Sequence, residues 1–256
     1  MAGSSRSIVD RSYTEVRRAD QSSDVGPETV RLSDLRSEAA YVLLGDPGLG
    51  KSTAFTSEQE AQADMSIMID ARDFLVANPG RRQGWRNKTL FIDGLDEVRA
   101  GSSDARSALD RIRGQLEALD CPKFRISCRE ADWLGDNDRY RLEFVSQSSK
   151  LRVLRLEPLT DGQIEQILED HPSVSDPGTF IESARERGVG GLLANPQTLN
   201  MLADVVGGGM QWPESRRGTF DQACRVMARE HNQEHEIGGR PPPLDELLQA
   251  AGHLCA

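Results

Sequence analysis

The sequence predicts an α/β fold: a five-stranded parallel sheet covered by helices on both faces, followed by an all-α helical lid. Three observations carry this expectation. Short apolar runs alternate with helical stretches as far as residue 156. A glycine-rich loop joins the first of these runs to a helix, and no strand pattern recurs after Leu159. The chain of 256 residues, 37% hydrophobic and 28% charged with a net charge of −10, is long enough for a sizeable core in one or two domains. No apolar run approaches the roughly 18–20 residues that span a bilayer. Met1 to Arg6 lack a signal core, so no membrane and a cytoplasmic location are expected. Cys121, Cys128, Cys224 and Cys255 show no framework spacing and read as reduced thiols. The acidic balance argues against a broad nucleic-acid surface.

Residues 1 to about 28 are polar and read as disordered or loop-like, although Tyr13-Thr14-Glu15-Val16-Arg17 alternates as a short edge strand does. Thr29 to Glu38 predicts a brief helix. Ala39 to Leu44 is the first buried strand, because it is apolar at every position and so suits a sheet covered on both faces. A helix over Lys51 to about Gln62 follows, then a second strand at Met65 to Ala71 and a polar loop from about Asn78 to Lys88. Thr89 to Asp93 is the third strand. Ala105 to Leu119 places Leu109, Ile112, Leu116 and Leu119 on one helical face. Phe124 to Cys128 and Leu151 to Leu156 are the fourth and fifth strands. Beyond them, Thr160-Asp161-Gly162-Gln163 has capping-box spacing ahead of Ile164, Ile167 and Leu168. Further helices are expected from Phe180 to Arg187, from Asn195-Pro196-Gln197 to Gly207-Gly208-Gly209, from Thr219 to about His235, and from Leu244 to Leu254 after Pro241-Pro242-Pro243.

The loop after the first strand is Gly45-Asp46-Pro47-Gly48-Leu49-Gly50-Lys51-Ser52-Thr53, a P-loop pattern in its required strand–loop–helix context. Gly45, Gly48 and Gly50 are expected to take positive φ and turn backbone N–H groups around a phosphate. The new helix adds its positive end there. Lys51 has the reach for the β- and γ-phosphates, and the Ser52 hydroxyl suits Mg²⁺. The third strand continues as Asp93-Gly94-Leu95-Asp96-Glu97. Asp93 at a strand tip fits a Walker B carboxylate that holds Mg²⁺ through water, and Asp96 and Glu97 are candidates to position an attacking water. One strand lies between the two motifs, and acids follow the aspartate. Together these favour the ASCE, AAA-like division of P-loop NTPases over nucleotide kinases and GTPases. Asn87-Lys88-Thr89-Leu90 lacks the aspartate of a guanine motif. ATP or ADP with Mg²⁺ is the expected complement.

The run Asp93-Gly94-Leu95-Asp96-Glu97 resembles the Walker B segment of the NACHT group of STAND ATPases. Arg125-Ile126-Ser127-Cys128-Arg129 resembles that family's sensor 1 strand, Leu156-Glu157-Pro158-Leu159-Thr160 the start of its helical domain, and Leu192-Leu193-Ala194-Asn195-Pro196 the segment whose proline packs on adenine. The resemblance spans about residues 29 to 236. It implies that Arg129 faces the γ-phosphate and Pro196 the base. It also implies a switch, closed and monomeric with ADP, open and self-associating with ATP, in immunity, cell death or antiphage defence. The expected organisation is a polar segment 1–28, a P-loop core 29–158, a helical lid 159–240 and the start of a winged-helix-like segment 241–256. Effector and sensor parts are then expected in a longer chain or in partners. Two rivals stay open: an AAA-like motor or loader acting on nucleic acid or protein, and a nucleotide-gated scaffold without turnover.

Weaker constellations read as surface. Cys224, His231 and His235 share a helical face, but neighbouring Glu230, Glu234 and Glu236 suggest a solvated one rather than a metal site. Arg81, Arg82, Trp85 and Arg86 read as solvated loop residues rather than a nucleic-acid platform. Arg139 and Arg141 read as surface salt bridges rather than fingers acting on a neighbouring subunit.

Overall fold

A computed structural model describes residues 9–18, 28–77, 83–100 and 105–207, together with Trp212, Gly218 and Glu246. The chain forms two compact units, one over Asp10–Pro158 and one from Leu159 onward with the first nine residues. The expected helices from Thr219 and Leu244, and with them Cys224, His231 and His235, lie outside the described residues, as do Arg81 and Arg82.

The first unit is built on strands β1 (Tyr13–Glu15), β2 (Thr29–Val30), β3 (Ala40–Leu44), β4 (Ser66–Asp70), β5 (Thr89–Asp93), β6 (Phe124–Cys128) and β7 (Arg152–Leu156). They form one sheet in the order β2-β1-β7-β3-β6-β5-β4. The stretch from β7 to β4 is parallel throughout. The sheet therefore has seven described strands rather than five, because β1 and β2 add antiparallel at the β7 edge. An open β7 edge would expose a row of unpaired N–H and C=O groups. Tyr13 lies opposite Leu156 and is buried there, and Glu15 lies beside β7, where its carboxylate accepts from Arg152 Nε at 3.2 Å. The expected helix over Thr29 to Glu38 is not formed as such. β-branched Thr29-Val30 pairs with β1, and a 3₁₀ turn over Leu32–Leu35 buries the two leucines.

Alternation along each strand divides the core into two layers. Val42, Leu44, Leu90, Ile92, Ile126 and Val153 face helices α2 (Ala71–Val76), α3 (Leu95–Ala100), α4 (Ala105–Ala118) and α5 (Asp136–Glu143), which contribute Phe74, Leu95, Leu109, Ile112 and Leu142. Tyr41, Leu43, Phe91, Leu154 and Leu156 face α1 (Lys51–Gln62), whose Phe55 meets Phe91 edge-on with centroids 5.3 Å apart. Three of these helices were not legible as periodic segments. α2 starts inside the expected second strand because Asp70, at the strand's end, caps it through the N–H of Arg72 at 2.7 Å. α3 and α5 are short and largely polar.

Arg125 stands in the middle of a core strand and is buried. Its guanidinium lies 4.4 Å over the Tyr41 ring and donates to the carbonyls of Glu38 at 2.7 Å and Phe124 at 2.9 Å. The charge is thus solvated by the protein, and this arginine belongs to the scaffold.

The chain path explains where a ligand fits. From β3 the chain runs to the far edge at β4, returns through β5 and β6, and passes over β3 to reach β7. The order reverses at the C-terminal end of β3, which is where open parallel sheets hold ligands.

The second unit contains α6 (Asp161–Glu169), α7 (Pro177–Glu186), a 3₁₀ turn over Gly190–Ala194 and α8 (Pro196–Gly207). Its core gathers Ile164, Leu168, Phe180, Leu193, Leu199 and Leu202. Thr160 and Gln163 form the reciprocal capping box that opens α6. Asp176 caps α7 with Pro177 in its first turn, so this helix starts earlier than Phe180. His171, just past the end of α6, reaches α8 through Nε2, 3.2 Å from Asp204.

Candidate nucleotide site

The loop from Gly45 to Gly50 leaves β3 at the point where the sheet order reverses. Leu49 N–H donates to Asp46 carbonyl at 3.3 Å, closing a tight turn. Gly48 and Gly50 take φ of 78° and 95°, the left-handed region that glycine enters without penalty. Gly45 does not. Its role is space: a Cβ there would stand 3.3 Å from Leu156 Cβ. The expectation of positive φ at all three glycines is corrected to two, because Gly45 still follows the extended strand beside β7.

Gly50 is the N-cap of α1 and provides no side-chain cap. The first N–H groups of a helix have no acceptor within it, so this end favours an anion. Ser52 and Thr53 are exposed in the first turn, Leu49 is buried, and Asp46 and Pro47 lie exposed on the loop. Lys51 folds back over the loop, its Nζ donating to the carbonyls of Gly45 at 2.7 Å and Asp46 at 3.2 Å. Partial burial lowers its pKa, while Asp96 and Asp93 pull the other way.

Asp93 ends β5, and the Ser127 hydroxyl of β6 donates to its carboxylate. Ser127 Oγ in turn accepts from Gly94 N–H at 2.9 Å. Gly94, at φ 83°, turns the chain into α3 and places Asp96 and Glu97 in that helix's first turn. Asp96 is buried. One of its carboxylate oxygens lies 2.7 Å from Arg129 Nε, and the other accepts from Arg129 N–H at 3.3 Å. Glu97 is exposed. The β3–β6 register pairs Leu44 with Cys128, which sets Arg129 level with the start of the loop.

Lys51, Asp93, Asp96 and Arg129 therefore share one electrostatic neighbourhood. Pro196 opens α8 in the second unit, where Asn195 Oδ1 accepts from Gln197 N–H at 3.0 Å. Two residues were missed in the sequence. Ser127 lies inside the sensor-like strand and orients Asp93. Arg11 donates to Leu49 carbonyl at 2.9 Å and to Glu157 carbonyl at 2.6 Å, tying the loop to the N-terminal strand and to the end of β7. Only its place just before an alternating stretch hinted at a role.

Other candidates are engaged elsewhere. Arg139 donates to Val16 carbonyl and is buried, and Arg141 pairs with Asp110. The expectation that Trp85 is a solvated loop residue is corrected: it is buried and stacks on Phe74 with centroids 5.5 Å apart, because the short helix α2 brings that ring beneath it. Arg86 lies 3.3 Å from Asp120.

The residues fit a phosphate chain with Mg²⁺. The loop offers an uncapped helix end and one lysine, while Ser52 and Asp93 offer hard oxygen donors. Among the described residues, no group of three or more His, Cys, Asp or Glu forms a metal cage. Mg²⁺ is typically held by one or two protein oxygens with phosphates and water.

No family model matches the chain, and no curated protein matches it. Among solved structures, it is similar to domain III of the Thermotoga maritima replication initiation protein DnaA at 16% identity, with 82% of each chain covered and a TM-score of 0.39. It is also similar to the Thermotoga maritima RuvB Holliday junction branch migration motor at 13% identity, covering 86% of this chain and 77% of that one, with a TM-score of 0.40.

Proposed function

We propose that this chain binds ATP and ADP with Mg²⁺ and hydrolyses ATP slowly, as a switch of NACHT type. The observation that carries the reading is the convergence of Lys51, Asp93, Asp96 and Arg129 on one glycine loop at the point where the sheet order reverses. Loop N–H groups and Lys51 hold the phosphates. Ser52 and Asp93 are the residues that would hold Mg²⁺, which when bound neutralises charge between the β- and γ-phosphates. Ser127 keeps the Asp93 carboxylate aimed at that position. Arg129 meets the γ-phosphate, and an acid of α3 holds the attacking water in line. Catalysis then follows from positioning and charge neutralisation. ATP-dependent self-association is the output of this reading in signalling or defence.

The test is to identify the nucleotide carried by the purified protein and to follow Mg-ATP hydrolysis. Lys51→Ala should abolish tight nucleotide binding. Glu97→Gln should keep binding and slow turnover about a hundredfold or more. Co-purified ADP with slow turnover supports the switch. An empty site with turnover stimulated many-fold by DNA or an unfolded protein favours the motor reading instead. Tight ATP binding by Lys51→Ala would remove the assignment.

A further inference from the structure

We infer that the two acids of α3 have separate jobs: Asp96 is a positioning residue that aims Arg129, and Glu97 alone is left to hold the attacking water. This rests on the proposed ATPase reading and deepens it.

The geometry separates the two carboxylates. Asp96 is buried, with its side chain 8% exposed, and both of its oxygens are engaged by one residue. One lies 2.7 Å from Arg129 Nε and the other accepts the Arg129 backbone N–H at 3.3 Å. A carboxylate so placed fixes the arginine's main chain and the root of its guanidinium at once. Its acceptor capacity toward a water is correspondingly reduced. The arginine, by contrast, is held only at its root. Its side chain is 49% exposed. Among the described residues neither of its terminal nitrogens donates a hydrogen bond, so the outer fork remains available for a bidentate contact with phosphate oxygens. Arg129 also lies close enough to Lys51 to lower its pKa, so both cations bear on the same loop. Glu97 sits one residue further round the helix and is exposed. It is turned toward Gly94, where a Cβ added to the glycine would stand 3.4 Å from its carboxyl carbon. Gly94 directly follows Asp93, so the Glu97 carboxylate lies beside the turn that leaves Asp93, uncommitted among the described residues.

Removing the charge of Asp96 should therefore act through Arg129, and should appear as lost discrimination of ATP from ADP. Removing the charge of Glu97 should act on the chemical step. The experiment measures ATP and ADP affinities by competition with a fluorescent nucleotide, and single-turnover hydrolysis, for Asp96→Asn, Arg129→Ala, their double variant, Asp96→Glu and Glu97→Gln in the full chain. Asp96→Asn and Arg129→Ala should each lower the ATP-over-ADP preference by about tenfold, the scale of one charge-assisted contact. The double variant should lose no more than Arg129→Ala alone, because one contact is removed either way. Asp96→Glu, which keeps the charge, should recover part of the preference. Glu97→Gln should keep the preference and lose about a hundredfold or more in turnover.

The inference is overturned if Asp96→Asn keeps the preference while losing turnover, if Glu97→Gln turns over normally, or if the double variant loses the product of the single effects. Arg129→Ala changes an exposed side chain, so it reports on the contact even if Asp96→Asn misfolds. Failure of Lys51→Ala to weaken binding would count against the ATPase reading itself. Loss of binding in Lys51→Ala with an unchanged preference in Asp96→Asn would count against this inference alone.

Discussion

Arg11 illustrates how one side chain joins the loop to its surroundings. Its two terminal nitrogens reach Leu49 carbonyl inside the P-loop and Glu157 carbonyl just past β7. Both acceptors are main-chain oxygens, so the contact fixes backbone. Arg11→Ala withdraws both donors, and each such loss costs about 1–3 kcal/mol where the acceptor stays dry. We expect a lower urea midpoint and an ATP affinity weakened about tenfold, the equivalent of about 1.4 kcal/mol. Arg11→Lys, which keeps the charge but replaces the planar guanidinium fork with a single donor nitrogen, should recover only part of either. Unchanged affinity with a lowered midpoint would make Arg11 purely structural. Cys128 shows the opposite case, a reactive group rendered inert. It ends β6 fully buried, and burial pushes its thiol up to about 12. The glycine loop and the run Asp93-Gly94-Leu95-Asp96-Glu97 stand out in the sequence because their pattern is written in local spacing. The contacts that orient them do not. Ser127 meets Asp93 across 34 residues of chain, Arg129 meets Asp96 across 33, and Arg11 meets Leu49 across 38. No periodicity records such pairs.

At the scale of elements, the central strands were legible because each is apolar on both faces, as a covered parallel sheet requires. The short helices were not. α3 and α5, which bury Leu95 and Leu142, are also joined by a buried ion pair: Arg99 Nη2 lies 2.8 Å from Asp138 Oδ2, with both side chains almost fully buried. Asp138 also accepts Leu134 N–H at 2.8 Å, and Arg99 donates to Asp132 carbonyl. A polar link between elements that are close in space and 39 residues apart in sequence leaves no pattern to read. Removing one member strands the other charge in the core, at a cost of about 3–5 kcal/mol. Arg99→Met should therefore lower stability by about that amount in urea unfolding, and Arg99→Met with Asp138→Leu should restore much of it. Because α3 also carries Asp96 and Glu97, the single variant should slow turnover at temperatures where it remains folded. A loss below 1 kcal/mol would mean that α3 is fixed by Leu95 and its neighbours rather than by the pair.

For the whole molecule, the question is what nucleotide does to two units of unequal chemistry. Every phosphate-facing residue proposed here lies within Asp10–Pro158, while Pro196 lies in the unit that begins at Leu159. A ligand that binds only the folded state adds about 2.7 kcal/mol at a hundred times its Kd. For a protein of this size that is about 5–10 °C in midpoint. Scanning calorimetry with Mg-ADP should therefore raise the transition of the first unit by about that amount, and Lys51→Ala should abolish the rise. The second unit supplies the sharper test. Its core of Ile164, Leu168, Phe180 and Leu199 is independent of the sheet's layers. It gains stability from nucleotide only by touching nucleotide, or by docking on the unit that holds it. If residues 159–240 act as a lid, its transition should climb with that of the first unit, and Pro196→Ala should uncouple the two. If its transition stays fixed while the first rises, the helical unit takes no part in gripping the base, and the switch reading loses its moving part while the ATP site stands.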